Sequence, residues 1–224
     1  MILEAIGNSF PIAVGIAISP LAIAALLIML LTPRAKVNAP AFLFGWILGF
    51  LLVGFLAYFI PGMETTPEEP ATLAGIVRIV LGLALLLLAI WQWQRQAARN
   101  HKVETPRFLA RIDNMGVTHC ILTGFLLSAA HPKNLPLIVA GVAAIGRYNL
   151  DALAEIMAFL IFTAVASATI LLPLAAYFLA KRQAEALFGH WKDWLIRNND
   201  IVVLLLLLIF GTLLVGRGIK MLAA

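Results

Sequence analysis

Ala130-His131-Pro132-Lys133-Asn134-Leu135-Pro136 interrupts an apolar run that extends over residues 115–145. The run is too long for one straight crossing, since about 20 residues rising ~1.5 Å each span the hydrocarbon layer. Two prolines four residues apart remove two backbone donors and break a helix. The stretch therefore reads as two half-helices that meet inside a membrane. His131, Lys133 and Asn134 at that break are costly in lipid unless they face a cavity, a partner or a cargo.

Outward from this break the chain offers further apolar runs at residues 10–31, 39–60, 71–93, 153–180 and 201–221, with Pro173 expected to kink the fifth span. Polar segments separate them: Thr32-Pro33-Arg34-Ala35-Lys36, an acidic proline-rich loop with Glu64, Glu68 and Glu69, a basic linker at 94–114 with a short amphipathic helix expected near 108–112, and a basic segment at 181–199. The expectation is an all-α integral membrane protein of six transmembrane helices. The composition agrees. The chain is 62% hydrophobic and 12% charged, with mean hydropathy +1.00, where soluble domains run near 45–50% apolar.

The net charge of +5 and the sequence pI near 9.7 do not argue for nucleic acid, because the basic patch with interleaved aromatics is missing. Basic residues mark cytoplasmic loops instead. Arg34 and Lys36, then Arg95, Arg99, Lys102, Arg107 and Arg111, then Lys181, Arg182, Lys192 and Arg197 fall on one face. Arg147, Arg217 and Lys220 fall on the other. Both termini are thus expected on the non-cytoplasmic side. The start, with Glu4 and no basic residue before a long apolar run, does not read as a cleavable signal peptide.

The halves of the chain echo each other. Gly15-Ile-Ala-Ile-Ser19-Pro20 in the first span corresponds to Gly124-Phe-Leu-Leu-Ser128, with Pro132 beyond it. Each is followed by an apolar run and a polar turn that carries Arg and Asn (Arg34 and Asn38, Arg147 and Asn149). Three spans per half make the halves inverted, residues 1–95 and 115–224, joined by a cytoplasmic linker at 96–114. Helices one and four are both broken at proline. Interrupted helices in matching positions of an inverted repeat point to a transport site.

Pro11-Ile-Ala-Val-Gly15-Ile-Ala-Ile-Ser19-Pro20, Leu31-Thr-Pro33-Arg34-Ala with Phe42-Leu-Phe-Gly45-Trp46, and His131-Pro132-Lys133-Asn134 carry a resemblance to the lysine exporter (LysE) superfamily. Within it the chain looks like the Sap/GAP branch, the glycolipid-addressing proteins. The resemblance covers nearly the whole chain. It implies a small multi-pass protein of a bacterial inner membrane that exports amino acids, metal ions or lipids, with this branch linked to moving glycolipids. The superfamily's thiol-disulfide carriers need cysteines in helices one and four. Here helix one has none and Cys120 stands alone, which reads as a small hydrophobe.

The candidate substrate-binding residues are Ser19, Pro20, Arg78, Ser128, His131, Pro132, Lys133 and Asn134, with His131 the proton relay. Serines within spans also bond the preceding turn's carbonyl, and Arg78 and Lys133 can snorkel. No Asp or Glu falls at the middle of a span, and the charges placed within spans are cations. That favours an anionic group on the cargo over a cation pathway. No P-loop, HExxH or nucleophile–base pair is present, so no enzyme, cofactor or metal site is expected. Gly45-Trp46-Ile47-Leu48-Gly49 is a GxxxG, which permits close packing within a chain or in a homodimer. The reading is an inner-membrane transporter, proton-coupled, for a small amphipathic or lipid-linked anion. Its rivals are a metal or inorganic-ion transporter and a non-transporting scaffold for envelope lipid assembly.

Overall fold

The computed structural model describes residues 1–59, 71–98, 112 and 115–223, without the side chains of residues 71–74, 97–98, 181–182 and 185–186. The acidic loop at 61–70 and most of the 96–114 linker, including its expected short helix, lie outside the described residues. The regular structure is helical throughout: α1 (Ile2–Ala17), α2 (Pro20–Leu30), α3 (Ala35–Tyr58), α4 (Ala71–Ala98), α5 (Val117–Ala129), α6 (Asn134–Gly146), α7 (Ala152–Ala166) and α8 (Ala168–Leu222). The last leaves helical geometry at Ala180 (φ −143°, ψ 51°), which separates a first arm, Ala168–Ala180, from a long arm, Leu187–Leu222.

Among the described residues, three helices are long and apolar enough to cross a membrane: α3, α4 and the long arm of α8. The bent pairs α1–α2 and α7–α8 bring the number to five, if each is one crossing. The helices α5 and α6 have 13 residues each, about 20 Å at 1.5 Å per residue, and neither is long enough alone. The protein is a multi-pass helical membrane protein.

Local chemistry explains most of the breaks. Ser19 precedes a proline and is pushed to extended geometry (φ −119°, ψ 86°). Pro20 then starts α2 at the position where a missing amide is harmless, and the axes of α1 and α2 differ by 58°. Pro136 likewise falls within the first turn of α6. The fifth span departs from expectation. Its 65° bend lies at Ser167, and the helix runs on through Pro173. The reason is tertiary. Beside that bend, Thr169 Oγ1 donates to Ala17 O at 2.5 Å, so the chain turns where it meets the end of α1.

Two packing arrangements hold the body together. Helix α3 lies along α5 in parallel: a Cβ at Gly45 would strike the backbone of Ile121, and one at Gly124 the backbone of Phe42. The GxxxG at Gly45 and Gly49 is therefore occupied within the chain, by α5, and does not argue for a homodimer. The α4 helix lies antiparallel to the long arm of α8. There Gly75 abuts the carbonyl of Gly218 and Gly82 that of Gly211, and each glycine of α8 abuts its partner's carbonyl in return. Glycines seven apart on both helices allow this approach. Between these pairs sits a core around Trp46, Phe42 and Phe50, with Phe50 packed on Phe162 at 5.5 Å between ring centroids.

Candidate functional site

The two helix breaks that the prolines create lie side by side. Helix α1 ends at Ala17 and α6 starts at Asn134, and the two run antiparallel: Asn8 near the start of α1 is bonded to Tyr148 beyond the end of α6, while Gly15 meets Lys133. A helix end leaves backbone carbonyls without intrahelical donors. Pro20 adds to the deficit, because it has no N–H to offer Ile16 O.

Lys133 resolves that deficit. Its side chain is only 1% exposed, and Nζ donates to Gly15 O at 2.7 Å, to Ile18 O at 3.1 Å and to Ile16 O at 3.4 Å. Ala17 O accepts from Ser19 N–H (2.8 Å) and from Thr169 Oγ1. Val14 O accepts from Ile18 N–H at 3.0 Å. Every carbonyl from Val14 to Ile18 thus has a donor, and the ammonium sits at the negative end of the α1 dipole. Among the protein's own atoms, this lysine serves as a C-cap supplied from more than a hundred residues away.

The other break is treated in the same way. Asn134 Nδ2 donates to Leu127 O at 2.9 Å, near the end of α5. Ser128 Oγ donates to Phe125 O at 3.0 Å, the local bond that serines in spans make. The Lys133 N–H donates to His131 Nδ1 at 3.3 Å. Ser19 is buried at the joint. So Ser19, Pro20, His131, Pro132, Lys133 and Asn134 stand at one seam, where Lys133 joins the two breaks, while the Ser128 hydroxyl lies against Gly49 of α3. Two buried atoms at helix breaks, Asn134 Oδ1 and Ser167 Oγ, are left without a protein partner.

Arg78 lies elsewhere. It is 4% exposed, donates Nη2 to Ala143 O at 3.3 Å and approaches Met221 Sδ with Nη1 at 3.0 Å. Arg78 and Arg95 are 17 positions apart on α4, about 25 Å along the axis at ~1.5 Å per residue.

Two cavities flank the seam at the end where α4 finishes. A polar cleft of about 260 Å³ is lined by His131, Pro132, Lys133, Arg95, Gln92 and Asp200 among others. An apolar crevice of about 970 Å³ lies between α2 and both arms of α8, lined by Ile23, Leu172, Pro173, Phe188, Trp191 and Trp194 among others. Leu21 lines the cleft and Ile23 the crevice. Two residues apart on a helix means roughly opposite faces, so α2 separates the two spaces. The α1 terminus is tied to both, through Lys133 on the cleft side and Thr169 on the crevice side.

A family model described as Sap, sulfolipid-1-addressing protein, matches residues 10–220. The chain belongs to that family. The matched stretch takes in both helix breaks, the seam and the lining of both cavities. Comparison with curated proteins gave no match, and comparison with solved structures gave none. Among the described residues no three His, Cys, Asp or Glu side chains gather as a metal site would need.

Sequence reasoning missed Asn38 as a structural residue. It is 1% exposed within α3, and its Nδ2 donates to Met115 O at 3.1 Å, just before α5. The four glycines that join α4 and α8 were also missed. Their seven-residue spacing in two separate runs was the available signal.

Proposed function

We propose that this Sap-family protein translocates an amphipathic, anionic lipid or lipid-linked molecule through a bacterial inner membrane toward the non-cytoplasmic side. The observation that carries the reading is the pairing of the two spaces across α2. A polar cleft with Arg95 and His131 suits a charged headgroup, and the crevice walled by tryptophans, phenylalanine and leucines suits an acyl chain. The family's lipid-related role supports the same cargo class.

In this reading α1–α2 with α3 and α4, and α5–α6 with α7–α8, are two inverted three-helix units, six crossings in all, of the kind lysine exporters have. The distribution of Arg and Lys puts the cleft on the cytoplasmic side and both termini on the other. Alternating access would loosen one of the two helix breaks at the seam, because interrupted helices are where such folds hinge and bind. With Nδ1 accepting from the Lys133 N–H, a neutral His131 carries its proton on Nε2, where it can exchange with the cleft.

The test is leaflet exchange in liposomes that contain the purified protein. A phosphatidylglycerol analogue with a fluorescent headgroup is followed by quenching from outside, with and without a pH gradient. Exchange faster than in protein-free liposomes, slowed by Arg95→Gln and His131→Ala, is expected. Equal rates in liposomes with and without protein would overturn the transport reading.

One observation favours a second reading. The Lys133 ammonium is engaged by three carbonyls of the chain itself, which suits a fixed scaffold for envelope lipid assembly as well as a moving part. A scaffold would retain lipid without exchanging it, so the same assay separates the two.

A further inference from the structure

The end of the molecule where α4 begins holds a third cavity, of about 370 Å³. Its walls include Arg78 from α4, Arg147 just after α6, and Arg217 and Lys220 from the end of α8, with Asn8 and Tyr148 beside them. The sequence carries 16 Lys and Arg. Arg147, Arg217 and Lys220 are the ones that charge distribution assigns to the non-cytoplasmic face, and all of them line this one cavity, together with the intramembrane Arg78. They come from three segments far apart in sequence, α4, the residue after α6 and the end of α8, so the gathering is a product of the fold. None of the cavity's lining residues among those described is acidic.

Such a cluster is electrostatically unfavourable by itself. Arg78, Arg147 and Arg217 line the same space with like charges, and repulsion is strengthened where water is scarce. Arg78 is fixed by Ala143 O and Met221, and Arg217 Nη1 reaches Asn8 O only at 3.5 Å. Arg147 and Lys220 are exposed at the rim. Guanidinium groups recognise tetrahedral oxoanions through paired N–H donors. A water occupies about 30 Å³ of liquid, so the space is on the order of ten waters, more than one bare ion needs.

We propose that this cavity binds a phosphate or sulfate group, carried on a lipid headgroup or as the free ion. Arg147 and Arg217 supply the main contacts, Arg78 sets the positive floor, and Lys220 draws the anion in. The site lies at the opposite end of the α4–α8 pair from the polar cleft. It deepens the transport reading by giving the cargo's charged group a second station on the far side, and it rests on that reading only for the assignment of a lipid cargo and of the side that it faces.

The test uses the full chain purified in a zwitterionic detergent. Lipid retention is read by native mass spectrometry with phosphatidylglycerol and phosphatidylcholine offered together. Inorganic phosphate and inorganic sulfate are titrated separately by calorimetry. Preferential retention of phosphatidylglycerol, weakened about tenfold by Arg147→Gln and by Arg217→Gln and more by both, as expected for a charge-assisted bond, supports the proposal with a lipid as the source. Binding of the inorganic ions with the same dependence, and no lipid preference, supports it with the free ion as the source. Arg197→Gln, on the opposite side, should change neither.

Equal retention of the two lipids together with no ion binding would overturn the proposal. So would binding that survives the double substitution when the cleft is also disabled by Arg95→Gln. If ions bind only after Glu64, Glu68 and Glu69 are all replaced by Gln, the cations serve to pair with that loop, and the proposal also fails. Because binding is read without transport, exchange in liposomes can fail while this site stands, and the reverse.

Discussion

The seam of broken helices and the α4–α8 pair meet the same demand in opposite ways. Both bring backbone close to backbone in a low-dielectric body. In the α4–α8 pair, glycines at 75, 82, 211 and 218 remove side chains so that two uninterrupted helical stretches touch. At the seam the helices are interrupted, and polar side chains from beyond each break supply donors to the freed carbonyls: Lys133, more than a hundred residues away, at the end of α1, and Asn134, just past the break, at the end of α5. The first arrangement is built from absences. The second is built from side-chain donors that can be withdrawn, which is the property a moving element needs.

The comparison is broken most sharply at Lys133. Lys133→Met keeps the length and removes the donor, which strands up to three buried carbonyls. An unmet buried acceptor costs about 1–3 kcal/mol, so a loss on the order of 3 kcal/mol or more is expected. The measurement is the midpoint of thermal or denaturant unfolding in detergent. A midpoint shift equivalent to less than ~1 kcal/mol would show that the cap is dispensable.

Gly82→Val should be next. A side chain there meets Val215 and the Gly211 carbonyl, and overpacking a tight contact costs about 1–3 kcal/mol. Gly45→Ala tests the α3–α5 contact in the same range, since the Ile121 backbone cannot yield as a flexible side chain could. Unfolding midpoints equal to the parent's would mean that the helices stand further apart.

Asn38→Leu removes one buried bond to Met115 O. The expected loss is about 1 kcal/mol, read as faster amide exchange at the start of α5 and a slightly lower unfolding midpoint. The smallest effect is expected at Gly189, where an added Cβ meets nothing within 4 Å. Gly189→Ala should be neutral or stabilise by roughly 0.5–1 kcal/mol through helix propensity. A destabilising result there would show that this part of the long arm is packed against something further.

Much of this was legible in the residues. The apolar runs and the 62% hydrophobic composition made a multi-pass helical protein unavoidable, because only lipid can solvate so much apolar surface. Ser19-Pro20 and His131–Pro136 fixed two of the breaks, because a proline's missing amide and its effect on the preceding residue are local facts. The fifth span shows the limit. Pro173 was the local signal, yet the bend lies at Ser167, beside a contact between Thr169 and Ala17 that no window of sequence contains. The same holds for Lys133. The sequence placed a lysine at a helix break, and only the fold showed that its first partners are carbonyls from α1.

By itself, then, the sequence determined where apolar helices run and that Ser19-Pro20 and His131–Pro136 interrupt two of them, since hydrophobicity and a missing N–H act locally. The tertiary structure alone decided which breaks meet, which glycines touch, and that Arg78, Arg147, Arg217 and Lys220 share one cavity. Those outcomes depend on packing between segments far apart in sequence, where shape and electrostatics act through space.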